Sequence, residues 1–150
     1  MIILKTFYIF KISESYINIA KKTPNNIFIL LNSIYRHKKS DIDTAFNLFN
    51  EICLPINTEF FNDYMFKKLK MNEEYTKFKN THMYYNYFTD EVSKMIVKKS
   101  HIKIKSNIND NIFNINLYDL GNLFICDFNN NYYNYFLNKR KIKSNKFLVN

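Results

Sequence analysis

Ile2-Ile3-Leu4-Lys5-Thr6-Phe7-Tyr8-Ile9-Phe10-Lys11-Ile12, followed by Ser13-Glu14, is the stretch that decides the fold. Successive side chains of a strand point to opposite faces. Ile2, Leu4, Tyr8, Phe10 and Ile12 fall on one side, and Ile3, Phe7 and Ile9 on the other. Apolar groups on both sides predict a strand that is largely buried. SESYINIAKK (13–22) then predicts a short helix, with Ser13 as N-cap, Glu14 in the first turn, and Lys21 and Lys22 closing the last turn favourably with the helix dipole.

Outward from this unit the helical signals continue. Thr23-Pro24 opens a second helix, with Pro at its first position and Ile27, Leu30, Leu31 and Ile34 forming one apolar stripe. Ser40 or Asp41 caps a third helix carrying Ile42, Phe46, Phe49 and Cys53, which Pro55 terminates. A fourth starts near Asn57 or Thr58, with Phe61, Tyr64, Met65 and Leu69 on one face; MNEEYTKFKN (71–80) carries no clear period.

From about residue 81 the texture becomes strand-like. HMYYNYF is rich in aromatics and strand-like, Thr89-Asp90 turns the chain, and VSKMIVKK and HIKIK alternate in the manner of half-buried strands. Asn109 or Asp110 caps a helix over 111–120, and Gly121, the single glycine, falls where a left-handed C-cap is wanted. LFICDF and YYNYFL are two further strands, joined by Asn129, Asn130 and Asn131. The order predicts a mixed α/β (α+β) fold: a single domain over 1–150, with a central mixed sheet of about five to six strands flanked by helices. A basic tail covers about 138–150.

Asn, Ile, Lys, Phe and Tyr supply 91 of the 150 residues, all with A/T-rich codons. There is one Gly and no Trp, and Arg occurs only at 36 and 140. This reads as mutational pressure, and it weakens the net charge of +9 as a sign of nucleic-acid binding, which favours Arg forks. Two cysteines exclude a disulfide scaffold and are expected as core residues. No apolar run reaches the roughly 18 residues of a membrane span. The N-terminus lacks the basic region and cleavage site of a signal peptide. A cytoplasmic setting is the expectation.

Little in the chain assembles chemistry. One glycine excludes phosphate loops and dinucleotide fingerprints. His37, His82 and His101 have no metal-ligand spacing and are expected at the surface or at strand ends. Asp127, inside the apolar LFICDF, needs a partner, expected from the backbone or a lysine. Nothing groups a nucleophile, a base and an orienting residue. The expectation is a binding protein, without enzymatic activity, metal or cofactor. The helix after the first strand is the candidate surface. Tyr16, Ile17 and Ala20 share one face, and Ile12, Tyr16 and Ile19 make a competing one.

Four segments carry a family resemblance. They are Phe7-Tyr8-Ile9-Phe10-Lys11-Ile12-Ser13-Glu14; Ile52-Cys53-Leu54-Pro55-Ile56; Ile102-Lys103-Ile104 ahead of a helix; and Cys126-Asp127-Phe128 through Tyr133. In order and spacing they resemble the sporulation inhibitor of replication SirA family. Asn134, Tyr135 and Phe136 stand where that family has Gly, Trp and Leu. The resemblance implies a protein that binds the N-terminal domain of the replication initiator DnaA and blocks chromosome initiation during sporulation. It implies contacts on the first helix, around Ser13, Tyr16, Ile17 and Ala20. Tyr16 matches the family's first contacting aromatic, whereas the second falls on Ala20, a departure. The alternative is a basic nucleic-acid-binding protein using Lys99, Lys103, Lys105 and, in the tail, Lys141.

Overall fold

The computed structural model describes residues 2–136. The chain runs β1 (Lys5–Ile12), α1 (Glu14–Lys22), α2 (Pro24–Tyr35), a 3-10 turn (Lys39–Asp41), α3 (Ile42–Ile52), β2 (Cys53–Leu54) and α4 (Thr58–Leu69). It continues β3 (Tyr75–Phe78), β4 (Thr81–Asn86), β5 (Glu91–Val97), β6 (Ile102–Ser106), α5 (Ile112–Leu120), β7 (Leu123–Asp127) and β8 (Tyr132–Phe136). The mixed class stands. The sheet is larger than expected, with eight strands in the order β3-β4-β5-β6-β1-β7-β8 and β2 paired to β1.

The expected mixed sheet is instead antiparallel at every pairing. The reason lies in the β6-α5-β7 crossover, which straddles β1. β6 pairs with β1 over Lys5–Ile9 and β7 over Tyr8–Lys11, so two strands that run the same way never touch. β2 takes up the pairing at Lys11 and Ile12, where β6 has ended. The two strands that sequence patterning misses are β2, only two residues long, and β3, an edge strand in which Tyr75 alone is buried.

The alternation works as expected over Lys5–Ile12, whereas Ile2, Ile3 and Leu4, expected in the same buried strand, precede it and are exposed. Phe7 and Ile9 point into a core with Met95, Ile102, Ile104, Phe113, Leu117 and Ile125, beneath α4 and α5. Phe10 and Ile12 point the other way, to Ile27, Leu31, Ile52, Phe124 and Cys126, beneath α1, α2 and α3. Each such fully buried side chain contributes about 1.5–3 kcal/mol relative to exposure, which fixes β1 as the centre of the sandwich. Cys53 and Cys126 are both buried and free.

The turns follow the local chemistry. Gly121 closes α5 at φ 73°, and Asn131 sits at φ 51° in the β7–β8 turn. Asn57 caps α4 through Phe60 N–H, and Asn111, one position beyond the expected cap, accepts from Phe113 and Asn114 N–H. Asp127 is 1% exposed; it accepts from the backbone N–H and the side-chain amide of Asn130, and among the described residues no lysine reaches it. The basic tail at 138–150 lies outside the described residues.

Candidate interaction surface on the first helix

Ser13 turns the chain from β1 into α1. It occupies the N-cap position, but its hydroxyl caps nothing. Instead it donates to the Glu51 carbonyl at 2.8 Å, while its N–H donates to the Ile52 carbonyl at 2.8 Å. The start of α1 is thereby fastened to the end of α3. One turn on, the Tyr16 hydroxyl donates to Glu51 Oε1 at 2.9 Å. That hydrogen bond, followed by partial desolvation, raises the Tyr16 phenol above its ordinary 10.0. Glu51 thus holds Ser13 through its backbone and Tyr16 through its side chain.

Ser13, Tyr16, Ile17 and Ala20 recur at i, i+3, i+4 and i+7, so they form a single stripe. The stripe faces inward. Ala20 is 1% exposed, and Tyr16 and Ile17 are half-buried against the core under α2 and α3. Ala20 therefore offers no surface to a partner, contrary to its expected place among the contacts. On the competing face Ile12 is core, and Ile19 is 37% exposed. The outward surface of α1 consists of Ile19 among Glu14, Ser15, Asn18, Lys21 and Lys22, with the ring of Tyr16 at its border. Helical spacing alone does not decide which stripe packs; the core under α2 and α3, together with the Glu51 anchor 35 residues away, decides it.

The alternative set is only partly assembled. Lys103 and Lys105 share one face of β6, and Lys99 sits in the exposed β5–β6 turn, its carbonyl accepting from Ile56 N–H. Lys141 lies outside the described residues. Lys94, which the sequence reading passed over, stands directly opposite Lys105 on β5.

The histidines divide. His37 is exposed and His101 half-buried just before β6. His82 lies near a strand end, as the second residue of β4, but is fully buried, which corrects the surface alternative. Its ring lies 2.7 Å from the Tyr75 hydroxyl at Nδ1 and 2.7 Å from Asn62 Oδ1 at Nε2. Asn62 in turn donates to Asn80 Oδ1, which orients its amide and leaves His82 as the neutral Nε2–H tautomer. Burial, reinforced by Lys77, lowers its pKa from 6.5 to about 4. A polar residue is tolerated there because each ring nitrogen has a partner.

A cavity of about 280 Å³ lies beside α5 and β8, lined by Asp110, Asn114, Asp119 and Tyr132 among others. An apolar depression of about 130 Å³ lies between β1, α2 and α3, lined by Tyr8, Phe49, His101 and Phe128. Asp127 borders neither, and neither brings a carboxylate, an imidazole and a lysine together. Among the described residues there is no group of His, Cys, Asp or Glu suited to a metal, and no helix is long and apolar enough to cross a membrane. No protein-family model matches the chain, and no curated protein matches it.

Proposed function

We propose that this protein binds the N-terminal domain of DnaA through α1 and its junction with α3, and so inhibits initiation of chromosome replication during sporulation. It acts in the cytoplasm by occlusion: a domain seated on the initiator's N-terminal domain hinders assembly at the origin, and no bond is made or broken. The reading rests on the resemblance of four ordered segments to the SirA family. One structural observation supports it. Tyr16, at the position of that family's contacting aromatic, sits at the border of an exposed helix face with its hydroxyl held by Glu51. A ring anchored in this way loses little rotamer freedom on binding, a property of interface anchors. The departure at Ala20 moves the second apolar contact to Ile19, the exposed isoleucine of the same helix.

The test is titration calorimetry of the full chain against the host DnaA N-terminal domain. A complex is expected. Tyr16→Ala is expected to weaken it by about 30-fold, the loss typical of a central aromatic anchor. Ile19→Glu, at an exposed position, is expected to weaken it without lowering the melting temperature. Absence of a complex at about 100 µM, or full affinity in both variants, refutes the proposal.

A further inference from the structure

The helices cover only half of one sheet face. Over β1, β7 and β8 that face lies beneath α1, α2 and α3. Over β3 to β6 none of the described helices covers the same face. Phe78 is 74% exposed, Met83 and Tyr85 are each 44% exposed, and Lys94 and Lys105 are exposed with Lys103 half-buried beside them.

The register shows how these groups lie. Lys94 stands directly opposite Lys105, and Lys103, two residues from Lys105, stands opposite Ile96. Neighbouring strands are about 4.8 Å apart and alternate residues about 6.8 Å apart, so three lysines rise from one compact patch, with the Lys103 ammonium held over the Tyr8 ring at 5.8 Å. β4, β5 and β6 carry a single carboxylate, Glu91, and it faces the buried side, accepting from Ser93 Oγ and Ile112 N–H. Like charges directly opposite across two strands destabilise the sheet. Nothing on these three strands offsets that cost, which a bound polyanion would relieve. Beside the lysines, Met83 pairs with Lys94 and, on its other side, with Thr76 of β3; Tyr85, opposite Val92, and Phe78, opposite Thr81, flank that row on either side. The Tyr85 ring is braced edge-on by Tyr87 at 4.6 Å.

We infer that this open half-face binds single-stranded DNA without sequence preference, the lysine column taking phosphates and Tyr85 and Phe78 taking bases by stacking. A cationic column beside ring faces is the arrangement such binding uses. A flat face with lysines and no arginine lacks the forked donors that read base edges in a duplex groove. Beside the lysines β5 offers only Val92 and Ile96 to a 2′-hydroxyl, the hydroxyls of Thr81 and Thr76 lying further off on β4 and β3, which favours DNA over RNA. An acidic peptide would satisfy the lysines and leave the rings unused. The inference stands apart from the reading of α1, since the two surfaces share no residue.

The experiment is fluorescence anisotropy of the full chain with labelled oligo(dT) across a salt series. About three phosphate contacts predict a log–log slope near −2, so affinity falls about 20-fold between 50 and 200 mM salt. Lys94→Gln with Lys105→Gln is expected to lower the slope by more than one. Tyr85→Ala is expected to weaken binding about tenfold. A charge-matched control, Lys67→Gln with Lys70→Gln at exposed positions in the last turn of α4 and at its C-cap, is expected to bind like the parent. The inference is overturned by no binding at low salt, by equal loss in the control, by undiminished binding in the sheet variants, or by tighter binding to oligo(rU), duplex DNA or polyglutamate.

Discussion

Acidification tests the reasoning about His82 most directly. The ring has no exposed surface, and its two nitrogens are matched to Tyr75 and Asn62 in the neutral form. In the unfolded chain it titrates near 6.5, and in the fold at about 4. Above pH 6.5 both states hold a neutral ring, and the native state has its full stability. As pH falls from 6.5 towards 4 the unfolded chain takes up a proton that the native state refuses, so stability is lost; below about 4 the loss levels off. At about 1.4 kcal/mol per pH unit the whole effect is about 3 kcal/mol, of which about 2 kcal/mol is lost by pH 5.

Carboxylates and His101 also respond to pH, the latter lowered to about 4 by burial and by Lys98 and Lys103. The comparison is therefore between the wild type and His82→Gln, whose amide also has one donor and one acceptor for the same partners. Urea unfolding is followed by far-UV circular dichroism, since the chain has no Trp. The stability difference between the two proteins should shrink by about 2 kcal/mol from pH 7.5 to pH 5. A difference that stays flat with pH, or a native His82 ring resonance that titrates near 6.5, refutes the account.

Three further outcomes follow from local geometry. Lys79 lies at φ 56° in the β3–β4 turn, so Lys79→Gly should stabilise the fold by roughly 0.5–1 kcal/mol, measured by the same unfolding curves. Asn111 is buried and caps α5 with two accepted hydrogen bonds; Asn111→Ala should cost about 2 kcal/mol, and a neutral result would remove it as the cap. Burial pushes the Cys53 thiol up to about 12 and raises Cys126 as well. A thiol reagent at pH 8 should therefore modify neither in the native state and both in denaturant; rapid native modification would contradict the packing.

The parts of the fold legible in the sequence are those whose signal is local. Alternation in β1, Pro24 at the start of α2, Asn57 as a cap and Gly121 at a positive φ each express a rule acting within a few residues. The parts not legible depend on distant partners. His82 occupies an inward position of β4 only because Tyr75 and Asn62 meet it there. Patterning by apolarity counts such a residue as outward. β3 is hidden because an edge strand buries almost nothing. The candidate surface shows the same division. The sequence isolates the stripe Ser13-Tyr16-Ile17-Ala20, yet its inward orientation comes from Glu51 and the core beneath α2 and α3. Lys103 and Lys105 are readable as one strand face, while Lys94 joins them only through the β5–β6 register.

The central place of β1 bears on synthesis. Its partners β6 and β7 are translated about a hundred residues later, which at typical rates leaves the strand without its main pairings for roughly 5–20 s. For that interval Phe7-Tyr8-Ile9-Phe10 is an apolar β-forming segment on a nascent chain, the kind of sequence that nucleates cross-β aggregation. Lys5 and Lys11 bracket it. In the finished sheet one reaches Asn109 and the other stays in solvent. In the growing chain they are gatekeepers, and replacing both with Ile should show itself as insoluble expression before any loss of native stability is seen.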